Sequence, residues 1–287
     1  MKLLVTGGSG LMGSKVAEIG LQKGYEVFSG YAHHLPTHGT AVKIDLRNDP
    51  SVVEAVKAVR PEVIIHTAAL TDVDVCETDK NLAYRMNAQA TKTLAESARE
   101  VGAFTVYTST DYVFDGSRGM YKEEDRTNPV NYYGYSKLQG ESYCDAVART
   151  CVIYGSRPAS GKVNFALWIL EKLMRGETAQ VVADQYITPT LNTNLALMVL
   201  ELAKPRLKGV YHLAGATRIS RYDFAVELAR TFGLDADLII KSRISEMKWA
   251  AKRPADSSLD TSKASRCLET TPWSIEEALR TLKNEIG

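Results

Sequence analysis

Cysteine is scarce and scattered: Cys76, Cys144, Cys151 and Cys267 are the four in 287 residues, and none forms a Cys-x-x-Cys pair. That distribution suggests neither a zinc clip nor a disulfide framework and leaves reduced, packing thiols as the reading, with no metal site. Net charge is almost absent as well. Lys plus Arg number 35 against 34 for Asp plus Glu, a formal +1, so no overall field draws the chain to nucleic acid or to an anionic membrane. Long apolar runs are missing. The longest charge-free stretch, Gln185 to Leu200, is interrupted by Pro189, Asn192 and Asn194, and so falls short of the roughly 20 apolar residues a membrane span needs. Met1 runs through Leu3, Leu4 and Val5 straight into a glycine-rich turn, leaving no room for an apolar leader, so cytoplasmic residence is expected.

What is present is ordinary globular material, 45% apolar and 24% charged, enough for about two folding units or one large core with an appended lobe. No internal repeat or low-complexity tract is visible. Short apolar or β-branched runs at Leu3–Val5, Val27–Ser29, Val63–His66, Phe104–Thr108 and Cys151–Tyr154 alternate with helical patterns at Met12–Lys23, Pro50–Val59, Asn81–Val101 and Tyr133–Ala148. Such alternation predicts βαβ units, hence an α/β, doubly wound parallel sheet of the Rossmann kind. Beyond Tyr154 the texture changes. Asn164–Arg175, Asn194–Ala203 and Ser220–Phe232 look helical, Gly209–Leu213 looks like a strand, and Asp184–Thr193 and Lys252–Ser258 read as loops. The expected division is a nucleotide-binding domain over 1–155 and a mainly substrate-binding, mixed α/β lobe over 156–287, with parts returning to the sheet.

Directly after the first strand stands Thr6-Gly7-Gly8-Ser9-Gly10-Leu11-Met12-Gly13, opening an amphipathic stretch. Glycines at 7, 10 and 13 allow a sharp turn and a close backbone approach to a pyrophosphate, and the following helix turns its unpaired N–H groups toward the anion. Placement between strand and helix is the context this motif requires, so a dinucleotide held by Gly7, Ser9, Gly10, Leu11, Met12 and Gly13 is expected. The second strand ends Ser29-Gly30-Tyr31-Ala32-His33-His34 without a carboxylate. Nothing there repels a 2′-phosphate, and Tyr31 and His33 or His34 stand nearby, so NADP is favoured with NAD possible; surface histidines are the alternative.

Tyr133 and Lys137 lie one helical turn apart on one face. A phenol of pKa near ~10 becomes a useful acid when an ammonium lies beside it. Upstream, Ser109-Thr110-Asp111-Tyr112 places hydroxyls at the C-terminal end of a predicted strand, where parallel sheets bind ligands.

With the glycine run, Thr110 and the Tyr133/Lys137 pair on the page, the chain resembles the extended short-chain dehydrogenase/reductases. More narrowly it resembles the dTDP-4-dehydrorhamnose reductase family, through Ser109–Gly116, Tyr133–Glu141, Asp184–Ala196, Gly209–Gly215, Tyr222–Ala225, Arg253–Ala255 and Ser258–Asp260. The resemblance implies reduction of the C4 ketone of dTDP-4-dehydro-L-rhamnose to dTDP-L-rhamnose. It implies that Tyr133 gives the proton, Thr110 bonds the same oxygen, Lys137 binds the nicotinamide ribose and tunes Tyr133, and Asp111 touches the sugar. It also puts adenosine near Asp45 and Leu46, the middle of the coenzyme near Ala68, Ala69 and Leu70, and the nicotinamide near Thr108, with Asn87 supporting from beneath. Members are often dimers, so a homodimer is the assembly implied.

A related dehydratase carries glutamate where Tyr112 stands, and without that base elimination is disfavoured. Val152 replaces an aromatic residue that the family sets against the sugar, which leaves a different 4-keto sugar as an alternative. In the second lobe Arg253 and Asn164 are candidates for the substrate pyrophosphate, with a surface arginine and a helix cap as the plain alternatives. Gln185 and Thr190 are weaker candidates, and Trp168, Trp249 and Trp273 read as packing residues. Val113–Gly116, Tyr121 and Glu123–Asp125 also resemble the NADP-binding regulatory β subunit of methionine adenosyltransferase, which implies a partner role as the other reading.

Overall fold

Aliphatic runs without polar alternation must be covered on both faces, and the first half of the chain obeys that constraint. In the computed structural model, which describes residues 1–159 and 162–287, seven strands form one parallel sheet. Their order is Gly209–His212, Ala146–Thr150, Phe104–Thr110, Val63–His66, Lys2–Thr6, Glu26–Tyr31 and Thr40–Lys43. The expected doubly wound α/β sheet is present. Successive side chains alternate between faces: Leu3, Val5, Val63 and Ile65 join the core under the helices Leu11–Gln22 and Asn192–Ala203. Leu4 and Ile64 join the opposite core with Val52, Val56 and Leu94, under the helices Asp49–Val59 and Ala90–Val101. Strand order reverses between Lys2–Thr6 and Val63–His66, and a crevice opens beyond their C-terminal ends.

Three local expectations change. The sixth strand is Ala146–Thr150, not Cys151–Tyr154, and the helix expected to run to Ala148 ends at Glu141. Alanines and an arginine disguise this strand in the sequence. Arg149 is tolerated in the sheet because Glu141 receives its guanidinium through Nε and Nη2 at 2.9 and 2.7 Å. Ile153–Tyr154 instead pairs with Thr190–Leu191, a strand inside the stretch read as a loop. The helix predicted over Asn81–Val101 is interrupted by a π-helical turn at Arg85–Gln89, a distortion that often serves a functional position.

The second half builds a lobe around Ile169, Leu170, Phe224, Leu228, Leu279 and Leu282, from the helices Phe165–Met174, Arg221–Phe232 and Ile275–Ile286 and the parallel pair Ala179–Val182 and Ile239–Ser242. The helix Asn192–Ala203 and the strand Gly209–His212 from that half lie in the layers of the large sheet. Among the described residues no helix is long and apolar enough to cross a membrane.

Candidate active site

The crevice widens into a cavity of about 730 Å³ lined from both halves of the chain. At one end the chain leaves the strand Lys2–Thr6 and turns into the helix Leu11–Gln22; Gly7, Ser9, Gly10, Leu11 and Met12 line the wall. Gly10 caps that helix without a side-chain bond, so the N–H groups of its first turn, at the cavity wall, have no capping side chain, an arrangement suited to an anion. Gly13 lies behind the wall. A Cβ there would fall 2.2 Å from the Gly7 carbonyl oxygen, so only glycine lets the helix approach the turn this closely.

Tyr31, His33, Asp45, Leu46, Ala68, Ala69 and Thr108 also line the cavity. Leu70 does not. Its N–H donates to Asn87 Oδ1 at 2.8 Å and its carbonyl accepts from Asn87 Nδ2 at 3.0 Å. The same amide nitrogen donates to Ser136 Oγ at 3.0 Å. Asn87 sits in the π-helical turn and so ties the loop after Val63–His66 to the helix carrying Tyr133. Asp45 is held by Arg47 through Nη2 at 2.8 Å and Nε at 3.0 Å, and the guanidinium lowers its carboxyl to about 2. The Arg47 Nη2 also stands 3.4 Å from His33 Nε2. Arg47, a lining residue, had escaped the sequence reading although it follows Asp45 by two positions.

At the centre, Asn131 caps the helix Tyr132–Glu141 by accepting from Gly134 N–H at 2.9 Å. A Cβ at Gly134 would lie 2.0 Å from the Tyr112 carbonyl oxygen, so the first turn of this helix rests directly on the segment after Phe104–Thr110. That contact brings half-buried Tyr133 into one cavity with Thr110 and Asp111. Burial raises the Tyr133 phenol above its ordinary pKa, while a hydrogen bond with Thr110 opposes the rise. Lys137, 3% exposed, donates from Nζ to the Thr108 carbonyl at 2.6 Å and lies 4.1 Å over the Tyr107 ring. Burial lowers its ammonium to about 7, against an upward pull from Glu141. Tyr133 and Lys137 therefore share the cavity as the sequence predicts, but in the protein alone burial, not the lysine, dominates the phenol.

Thr110 Oγ1 donates to Asp111 Oδ1 at 3.0 Å and accepts from Tyr112 N–H at 3.2 Å. The buried Asp111 carboxylate also accepts from Ser257 Oγ at 2.5 Å and from Cys151 Sγ at 3.1 Å; burial raises its pKa and these donors partly offset the rise. All four cysteines are free thiols. Tyr112, in the place of the dehydratase glutamate, is buried with its ring edge-on to Tyr133 at 5.9 Å between centroids.

At the lobe end, Val152 and Asn164 line the cavity. Val152 has φ 40°, a left-handed geometry that strains a β-branched residue and ends the strand before it. Asn164 caps the helix Phe165–Met174 by accepting from Leu167 N–H at 3.2 Å and donates to the Gly155 carbonyl at 2.9 Å. Arg253 is not brought to the cavity. Its guanidinium donates to both Asp74 oxygens, at 3.1 and 3.0 Å, and lies 5.0 Å over the Trp249 ring. Arg221 lines the cavity in its stead, a residue the sequence reading passed over.

Comparison with known proteins places this geometry in context. A family model described as "RmlD substrate binding domain" matches residues 1–286. The chain is 33% identical over 292 residues to "Probable low-salt glycan biosynthesis reductase Agl14" of Haloferax volcanii, covering 99% of this chain and 97% of that protein. It is 30% identical over 274 residues to "Methionine adenosyltransferase 2 subunit beta" of Xenopus laevis, covering 91% of this chain and 81% of that one. A solved dTDP-4-dehydrorhamnose reductase from Bacillus anthracis, in complex with NADP, superposes with a TM-score of 0.89 at 30% identity, covering 99% of this chain and 100% of that chain.

Proposed function

The chain belongs to the RmlD substrate binding domain family, and from that premise we propose that it reduces the C4 ketone of dTDP-4-dehydro-L-rhamnose to dTDP-L-rhamnose, preferring NADPH and accepting NADH. The observation that carries this reading is the meeting of the glycine cradle with Tyr133, Thr110 and Lys137 in one cavity. The residues fit the coenzyme. The uncapped helix start at Gly10 and the close approach at Gly13 suit a diphosphate, and Gly7, Ser9, Leu11 and Met12 complete its cradle. Asp45, Leu46, Ala68 and Ala69, which line the cavity, would hold the adenosine and the middle of the coenzyme, and Thr108, Tyr133 and Lys137 the nicotinamide end. Tyr31, His33 and the Asp45-paired Arg47 line one part of the cavity, and donors of this kind would suit a 2′-phosphate, which supports the preference for NADP. NADPH bound there supplies the hydride.

The protein's own part is to meet the charge that develops on the ketone oxygen. Burial keeps the proton on Tyr133 until that charge appears, so the phenol is a donor and not a premature phenolate. Thr110, on turning its hydroxyl from Asp111 Oδ1, gives a second hydrogen bond to the same oxygen, and Lys137, lining the same cavity, supplies positive charge that favours the phenolate once the proton has left. Asp111, fixed by Ser257 and Cys151, offers a carboxylate to sugar hydroxyls. Val152 and Asn164 bound the sugar side. Nucleotide sugars and NADPH are met in the cytoplasm, where we place the activity.

The test is oxidation of NADPH, then of NADH, by the purified protein with dTDP-4-dehydro-L-rhamnose, with the product identified. Turnover supports the reading. Tight NADPH binding without turnover of this or another 4-keto nucleotide sugar would favour instead a subunit role, as in the Xenopus relative named a methionine adenosyltransferase subunit beta.

A further inference from the structure

We propose that Arg221 is the anion anchor for the substrate, gripping the diphosphate of the nucleotide sugar; the proposal rests on the reading that such a substrate enters this cavity. Arg221 opens the helix Arg221–Phe232 behind the Ser220 cap and lines the cavity with Tyr133, Asp111, Val152 and Asn164. Its fork is aimed by neutral groups. Nε donates to Gln185 Oε1 at 2.6 Å, its backbone N–H donates to the Gln185 carbonyl at 3.0 Å, and the guanidinium lies 5.0 Å over the Phe165 ring. Gln185 is 1% exposed, and its own Nε2 donates to the Pro254 carbonyl at 3.3 Å, so the residue that aims the arginine is itself fixed.

What Arg221 lacks is a carboxylate. Arg149 is paired with Glu141, Arg218 with Asp256 and Arg253 with Asp74, each within 3.0 Å. Among the described residues no acid lies within ion-pair distance of Arg221, and its terminal nitrogens have no hydrogen-bond partner. The nearest counter-charge in the cavity is Asp111, which feels Arg221 across it but lies beyond ion-pair distance and is held by Ser257 and Cys151, so the half-buried guanidinium keeps a desolvation cost that an entering anion relieves. Its planar fork matches phosphate oxygens. The coenzyme's diphosphate already has the helix start at Gly10 on the sheet side, whereas Gln185 and Phe165 set Arg221 on the lobe side. The remaining anion is the substrate's.

Calorimetry on NADPH-loaded protein tests this, with dTDP and thymidine as probes and wild type, Arg221→Gln and Arg221→Lys compared. Loss of one charged fork is expected to weaken dTDP binding roughly 10- to 100-fold in Arg221→Gln, with thymidine and NADPH affinities unchanged. Wild-type affinity for dTDP in that variant, or equal losses for dTDP and thymidine, would overturn the assignment. If Arg221→Gln does not retain NADPH, Arg221→Lys decides: a selective loss for dTDP supports the anchor, and no loss or an unselective one removes it. Keto-sugar turnover with dTDP binding indifferent to Arg221 would sink the anchor and leave the reductase reading. Arg221-dependent dTDP binding without turnover would do the reverse.

Discussion

At its glycine-turn end the cavity is lined by Gly7 and the run Ser9 to Met12, where one strand turns into one helix, whereas at its lobe end it is lined by single side chains, Val152, Asn164 and Arg221, from segments that meet only in the folded protein. Backbone amides at a helix start recognise what every dinucleotide shares, and they cannot be altered without moving the helix. Side chains standing on a separate lobe can change while the sheet stays intact. Under the proposed function, use of the coenzyme follows from the geometry of the fold, and choice of substrate from replaceable groups.

Thr110 sits where the two ends meet, and after Tyr133 its loss should have the largest effect. Thr110→Val is expected to lower kcat roughly 100- to 1,000-fold while leaving NADPH affinity unchanged, with Thr110→Ser restoring most of the rate. Steady-state kinetics beside coenzyme titration would show it, and a parallel fall in NADPH affinity would mean the ends are not separable there. Gly13→Ala attacks the backbone end alone. The added Cβ meets Gly7 O, so a stability loss of about 1–3 kcal/mol is expected, together with weakened NADPH binding. An unchanged urea midpoint would contradict the tight cradle.

His66 probes the dry sheet beneath the cradle. Its Nδ1 lies 2.7 Å from Thr6 Oγ1 and its Nε2 3.1 Å from Thr91 Oγ1, and burial lowers its pKa from 6.5 to about 3. The unfolded chain takes up that proton at higher pH than the folded one, so stability climbs as pH rises from about 3 to 6.5. His66→Asn should flatten that limb by about 1.4 kcal/mol per pH unit, read from denaturation at several pH values; an unaltered slope would place the imidazole in water. The smallest effect belongs to Arg47, exposed at the mouth. Arg47→Ser should shift preference from NADPH toward NADH by roughly two- to fivefold, and less at high salt. A preference unmoved at low salt would remove Arg47 from the 2′-phosphate.

The same contrast explains what could be read before the fold was known. The glycine run and the Tyr133/Lys137 pair were legible because their geometry is local: a turn between strand and helix, and one turn of a helix. Sequence alone points to Arg253 and passes over Arg221, since what separates them is a partner far away in the chain, Asp74 for Arg253 and Gln185 for Arg221. The strand Ala146–Thr150 was hidden by alanine and arginine residues that favour helices until Glu141 is seen to satisfy Arg149. The π-helical turn at Asn87 left no mark in the apolar spacing, and what sets that residue apart is its tertiary bonding to Leu70 and Ser136.

The central claim, that the Tyr133 phenol gives the proton, is tested most directly by single-turnover reduction of dTDP-4-dehydro-L-rhamnose by NADPH-loaded Tyr133→Phe. The account predicts a rate reduced roughly 100- to 10,000-fold with NADPH still bound at wild-type affinity. A rate within a few-fold of wild type would contradict it.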